Sequence, residues 1–278
     1  MSTLIVQGSG LTPAVVSEIA AAVGGTVEIR ADHGRIVAGT RLADHAIGEL
    51  RGRFPFDVNR IPDGFDPAAA RLLVTDMDST LITIECVDEI ADFIGIKPQV
   101  AAITEAAMRG DIDFETSLRR RITLLKGLDA AVLDRVYAER LRLNPGAERL
   151  VSQLRARGIR TALVSGGFTF FTERLRKKLG FDDTLANELE IVDGRITGHV
   201  RGSIVGAAAK AGFLERLCQE MGVAARHAIA VGDGANDLPM LRSAGLSVGY
   251  HAKPAVQAEA QVIINHSGLD AVLAFLEN

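Results

Sequence analysis

The sequence predicts an α/β protein, a doubly wound parallel sheet carrying a helical cap, preceded by a small α+β unit. Three observations point there. Short apolar runs at residues 72–75, 161–164, 227–231, 246–248 and 262–264 mostly alternate with helical stretches, as buried parallel strands do. The first 65 or so residues instead follow a strand, helix, strand, strand, helix, strand order. Residues 85–143 read as helical throughout, far more chain than one crossover between strands requires.

In the leading segment, an apolar strand at 4–6 precedes a helix near 12–23. Two β-rich runs then flank the turn Asp32-His33-Gly34, and a helix at about 42–51 is followed by a last short strand. The stretch Ile61-Pro-Asp-Gly-Phe-Asp-Pro67 breaks regular structure, so a boundary is expected there, with one unit at 1–66 and another at 67–278. Within the second, 85–143 is expected to form an inserted lid. An Asp193-Gly194 hairpin is expected where alternating apolar residues span 189–200.

Bulk properties narrow the function. With 47% hydrophobic residues the chain has ample material for a core, and a net charge of −4 offers no global field for nucleic acid. The N-terminal residues lack the basic then apolar pattern of a signal peptide, and no apolar stretch reaches membrane-spanning length. The two cysteines, Cys86 and Cys218, have neither zinc-site nor disulfide-framework spacing, which fits a reducing, cytoplasmic setting.

Ligands on such sheets bind beyond the carboxyl ends of the strands, where Asp76, Ser165 and Asp233 fall. Asp76-Met77-Asp78 places two carboxylates one residue apart at a strand end, and they cannot both be buried ionised without a cation or a proton. Alone, Asp-x-Asp is more often an ordinary acidic turn. A second acidic group after another strand, Gly232-Asp233-Gly234-Ala235-Asn236-Asp237, changes the balance, because several hard oxygen ligands suit Mg²⁺. Ser165-Gly166-Gly167 supplies a hydroxyl and open backbone N–H groups for phosphate oxygens, and Lys210 a point charge. Singly, Ser-Gly-Gly is an ordinary turn and a lone lysine an ordinary surface residue.

In that order the four segments resemble the motifs of the haloacid dehalogenase-like phosphohydrolases. Glu85, Phe114, Arg121, Ser165 to Phe168 and 232–237 further resemble the phosphoserine phosphatase family, over about residues 71–278. The resemblance implies that Asp76 attacks phosphorus to form an aspartyl-phosphate, while Asp78 protonates the leaving oxygen and later takes a proton from water. It implies Mg²⁺ on the Asp76 carboxylate, the Asp78 main-chain carbonyl and the Asp233 carboxylate. Ser165, Gly166 and Lys210 would hold the phosphoryl group, Asn236 would orient substrate, and Asp237 would support the metal shell.

For O-phospho-L-serine, Glu85 suits the ammonium and Arg121 the carboxylate, with Phe114 seven residues before Arg121 on one helix face and Met108 nearby. Arg119 and Arg120 read as a solvated face. The alternative is a phosphatase or phosphotransferase for another small phosphomonoester; a non-catalytic, amino-acid-responsive regulator is a third reading. The chain lacks a Cys-x₅-Arg loop, a complete dinucleotide fingerprint, a Gly-x₄-Gly-Lys loop and a close histidine pair for zinc. The leading 65 residues resemble the ACT domain in topology, which implies a structural, sensing or homodimerising role.

Overall fold

The computed structural model describes residues 2–108 and 111–277. It begins with β1 (Ser2–Gln7), α1 (Pro13–Val23), β2 (Gly25–Ile29), β3 (Gly34–Ala38), α2 (Asp44–Arg53) and β4 (Asp57–Arg60). The order matches the expectation, and the bounds of α1 are chemically marked. Thr12 caps α1 by accepting from the Val15 N–H, Pro13 opens the helix, and Gly24 closes it in the left-handed region. The four strands form an antiparallel sheet in the order β2-β3-β1-β4. Leu4, Val6 and Ile36 bury one of its faces against Val16, Ile19, Ile47 and Leu50 of the two helices.

The second sheet has seven strands: β5 (Leu72–Asp76), β6 (Arg160–Phe168), β7 (Asp183–Val192), β8 (Arg195–Arg201), β9 (Ala228–Gly232), β10 (Leu246–Tyr250) and β11 (Val262–Ile264). Their order is β11-β10-β9-β5-β6-β7-β8, parallel except for the β7–β8 hairpin. β5, β9, β10 and β11 are buried along their whole length and mostly apolar because both faces are covered. Leu73, Leu163, Ile229 and Val231 point into one core with the helix α7 (Ala147–Ala156) and residues of α8 (Thr169–Leu179). Leu72, Val74, Ala162, Ala228 and Ala230 point into the other, against α9 (Ala207–Met221) and α10 (Leu238–Ser243), with the short α11 (Pro254–Gln257) beside them.

Between β5 and α7 the cap comprises α3 (Cys86–Phe93), α4 (Lys97–Met108), α5 (Phe114–Thr123), α6 (Ala131–Arg135) and a π-helical turn over Val136–Arg140. The chain entering it and the chain leaving it meet at its base. Ile82 bridges Leu143, the Thr83 N–H donates to Arg142 C=O at 2.9 Å, and the Asn144 N–H donates to Leu81 C=O at 2.9 Å. The expected Asp-Gly hairpin forms, with φ of 49° at Asp193 and 74° at Gly194, the pair of positive values that a two-residue hairpin turn uses. It braces the cap, whose Gly127 and Ala130 N–H groups donate to Ile196 and Gly194 C=O at 2.8 Å.

The small sheet is fixed to the large one through polar residues of β4. The buried Asp57 carboxylate accepts from the Asn265 and His266 N–H groups, and Asn59 exchanges two 2.8 Å hydrogen bonds with the backbone of Ile263. No helix among the described residues is long and apolar enough to cross a membrane.

Candidate active site

Asp76 ends the central strand β5, between β9 and β6, with its side chain buried. The next residues fold into a tight loop in which Met77 C=O accepts from the N–H groups of Thr80, Leu81 and Ile82. Ser79 adopts φ of 57°, a left-handed conformation that costs a non-glycine residue about 1–2 kcal/mol. That turn swings Asp78 back over the strand end. Its Oδ1 accepts from the Cys86 N–H at 3.0 Å and its Oδ2 from the Ser165 hydroxyl at 3.2 Å. Burial pushes the Asp78 carboxyl up, against the pull of these bonds and of Lys210.

Lys210 is completely buried in α9, with Nζ 2.6 Å from Asp76 Oδ1 and 2.7 Å from Asp237 Oδ1. Burial alone would lower its pKa, but Asp237 and Asp76 outweigh it and hold the ammonium above the usual lysine range. Asp237 is doubly committed, since its Oδ2 also accepts from the Asp233 and Gly234 N–H groups. Asp233 accepts from the Thr80 hydroxyl at 3.1 Å and lies 3.5 Å from the Lys253 ammonium.

Oxygens of Asp76, Asp233 and Asp237 all lie within 4.8 Å of one another. One buried lysine does not balance this charge. Burial, Asp237 and Asp233 push Asp76 well above the usual carboxylate range, and burial with Asp237 and Glu85 also raises Asp233. Such a set of hard oxygens, short of positive charge, fits a divalent cation. The Asp78 carboxylate, engaged by Ser165 and Cys86, is not part of the cluster, leaving its backbone carbonyl as the ligand that residue would offer.

Ser165 and Gly166 do not sit in a simple loop. β6 continues through them to Phe168, with its pairing to β7 shifted between Val164 and Phe168. The buried Asn187 on β7 donates to Gly166 C=O at 2.8 Å and accepts from the Val205 N–H, holding the irregular segment to the sheet. A Cβ at Gly167 would come within 2.8 Å of Asp78 Oδ2 and 3.0 Å of Ser165 Oγ, so only glycine lets these groups meet. Asn236 is half-buried beside Asp237.

The cap supplies the opposite wall. Asp113 caps α5, placing Phe114 at its first position and Arg121 two turns on. A Cβ on Gly166 would touch the Phe114 ring at 2.8 Å, so that ring covers the Ser165 loop. The Arg121 guanidinium makes no hydrogen bond among the described residues, and its Nε is buried. Arg119 is exposed and paired with Glu115 at 2.7 Å, as a solvated face requires. The Met108 side chain, expected on this wall, lies outside the described residues. Glu85 accepts from the Ser79 hydroxyl at 2.7 Å. It stays open to solvent along one edge, yet desolvation in the cleft and the Asp78 charge push it up to about 7 against Ser79 and Lys253.

Residues 73–242 match the family model of the haloacid dehalogenase-like hydrolases. The chain belongs to that family. A relative from Polaromonas sp. named phosphoserine phosphatase is 55% identical over 212 residues, 74% of this chain and 90% of its own length. A solved structure of a probable phosphoserine phosphatase from Vibrio cholerae, in unliganded form, superposes with a TM-score of 0.84 at 39% identity, covering 99% of this chain and 86% of that one. A second solved structure, a phospho-aspartyl intermediate analogue of phosphoserine phosphatase, gives 0.70 at 38% identity over 75% of this chain and 99% of the other.

The sequence motifs thus converge at one cleft of a haloacid dehalogenase-like hydrolase. Thr80, which ends the motif Asp76-Met77-Asp78-Ser79-Thr80, also supports it, as do Asn187 and Lys253, which carry no local sequence signal. Thr80 follows Asp78 by two residues, but its bond to Asp233 spans 153 positions.

Proposed function

We propose that this chain is a phosphoserine phosphatase, hydrolysing O-phospho-L-serine to L-serine and phosphate. The observation that carries this reading is one cleft in which two adjacent strand-end carboxylates, Asp76 and Asp78, face a cap presenting Glu85 and the unbonded Arg121 guanidinium. The relatives named for the same activity support it.

In this mechanism the Asp76 carboxylate attacks phosphorus. The Ser165 hydroxyl, the Gly166 N–H and Lys210 hold the phosphoryl oxygens, and Asn236 orients the substrate. Asp78 gives a proton to the leaving serine oxygen, then accepts one from the water that splits the aspartyl-phosphate, which returns both carboxylates to their starting state; burial, which pushes its carboxyl up, favours that role. Asp76, Asp233 and the Asp78 carbonyl would hold Mg²⁺, with Asp237 supporting that shell. Bound there, the ion would offset the repulsion between an anionic nucleophile and an anionic phosphate. Glu85 takes the substrate ammonium and Arg121 its carboxylate as a bidentate fork. Phe114 closes the cleft over the Ser165 loop and keeps water from it.

The reading extends to organisation: an ACT-like unit at 1–66, a phosphatase core at 67–278 and a cap at 85–143. It places the enzyme in the cytoplasm, at the last step of serine biosynthesis, as a homodimer through the exposed edge strand β2, where Val27 and Ile29 are 39% and 48% accessible. Light scattering of wild type and of Ile29→Lys tests the dimer.

Phosphate release from phosphoserine and from an aryl phosphate, with Mg²⁺, tests the chemistry. Asp76→Asn is expected to abolish both reactions. Glu85→Gln and Arg121→Ala are expected to raise KM for phosphoserine alone, because those groups meet only its amino-acid part. Activity surviving Asp76→Asn, or equal losses on both substrates for the cap variants, refutes the respective assignment.

A further inference from the structure

Two polar atoms in the cap are buried without a hydrogen-bond partner among the described residues: Asp88 Oδ1 on α3, an acceptor, and Arg121 Nε on α5, a donor. Each is costly to leave unpaired. Asp88 lies close enough to Glu85, the residue just before α3, for its charge to act on that carboxyl, and Glu85 accepts from the Ser79 hydroxyl at 2.7 Å. Arg121 shares its face of α5 with Phe114, whose ring covers Gly166. Among charged groups Arg121 acts most strongly on Asp88; Lys97, next in weight, is 3.5 Å from Glu89.

We infer that Asp88 is a positioning residue for Arg121: when substrate draws the guanidinium into the cleft, the Asp88 carboxylate accepts from Nε and leaves the Nη groups as a fork for the substrate carboxylate. The inference rests on the phosphoserine reading above. In the free enzyme the two atoms remain apart, and the pairing forms with the substrate complex. Asp88 itself touches neither phosphate nor the reacting oxygen, so its effect falls on KM and not on kcat.

The test is a double-mutant cycle on the full chain with Asp88→Asn, Arg121→Ala and the combination, measured with phosphoserine and with p-nitrophenyl phosphate. Asp88→Asn is expected to raise KM for phosphoserine about tenfold, equivalent to about 1.4 kcal/mol, with kcat and the aryl phosphate reaction unchanged. In the Arg121→Ala background it is expected to add nothing. Asp88→Ala, free of any new amide bond, repeats the measurement if the asparagine variant folds poorly. A penalty of the same size without Arg121, or equal losses on both substrates where Arg121→Ala discriminates between them, overturns the inference alone. If Arg121→Ala costs both substrates equally, the phosphoserine reading falls and this inference with it.

Discussion

Replacing Lys210 by methionine keeps most of the side-chain volume and removes the one cation that, among the described residues, is bonded to Asp76 and Asp237. Both partners are buried, and the lysine itself is completely enclosed, so no water replaces its two bonds of 2.6 and 2.7 Å. Removing one partner of a buried ion pair typically costs about 3–5 kcal/mol, and about 2–4 °C of Tm accompanies each kcal/mol in a chain of this size, which predicts a fall of roughly 6–20 °C. The sign of the pH dependence follows from the carboxylates. An acid whose pKa is raised in the fold costs stability above its unfolded pKa, and protonation relieves that cost. The deficit of Lys210→Met is therefore expected to shrink from pH 8 towards pH 5. Calorimetry of both proteins in EDTA across that range measures it, and phosphate release measures the accompanying loss of kcat. A variant melting within about 2 °C of wild type at pH 8, or a deficit that widens as the pH falls, would show that Lys210 does not balance these carboxylates.

Other outcomes follow from the same geometry. Because Glu85 is pushed up to about 7, its ionised fraction rises through that pH, and kcat/KM for phosphoserine relative to an aryl phosphate is expected to climb between pH 6 and 8. Glu85→Gln should flatten that ratio, whereas a ratio still rising in the variant assigns the titration elsewhere. Mg²⁺ at a hundredfold excess over its Kd is expected to add about 2.7 kcal/mol of stability, and Asp233→Asn to remove most of that gain, read by thermal melts with and without the ion. Asn144→Ala deletes the amide donor to Thr80 and Ile82 C=O, at 2.8 and 3.2 Å, and is expected to cost about 2 kcal/mol together with a drop in kcat. Loss of stability with unchanged kcat would detach that amide from the catalytic loop.

The sequence alone revealed the chemistry more readily than its support. Asp76, Asp78 and Asp233 were legible because acidic residues at the ends of apolar strands have few bland explanations once two such ends occur, and Ser165 and Lys210 followed from their order. Asn187 and Asp88 were not legible, and Thr80 only as the end of its motif, because a polar residue acquires its role only from a partner brought near by the fold. Asn187, for example, lies 21 positions from the carbonyl it holds. Ser165-Gly166-Gly167 reads as a turn on composition, yet tertiary hydrogen bonds keep it within an irregular strand. The polar residues of β4 gave no hint that Asp57 and Asn59 join the small sheet to β11, since a short polar strand reads equally well as a solvated edge.

The paired chain segments at the base of the cap bring its two ends together. Ile82 and Leu143 meet there, and Asn144 ties the returning chain to the carbonyls of the nucleophile loop. An insertion whose ends already touch adds little closure entropy to the core, whatever its length. The segment between them can therefore be lengthened or shortened at little entropic cost to the two sheets.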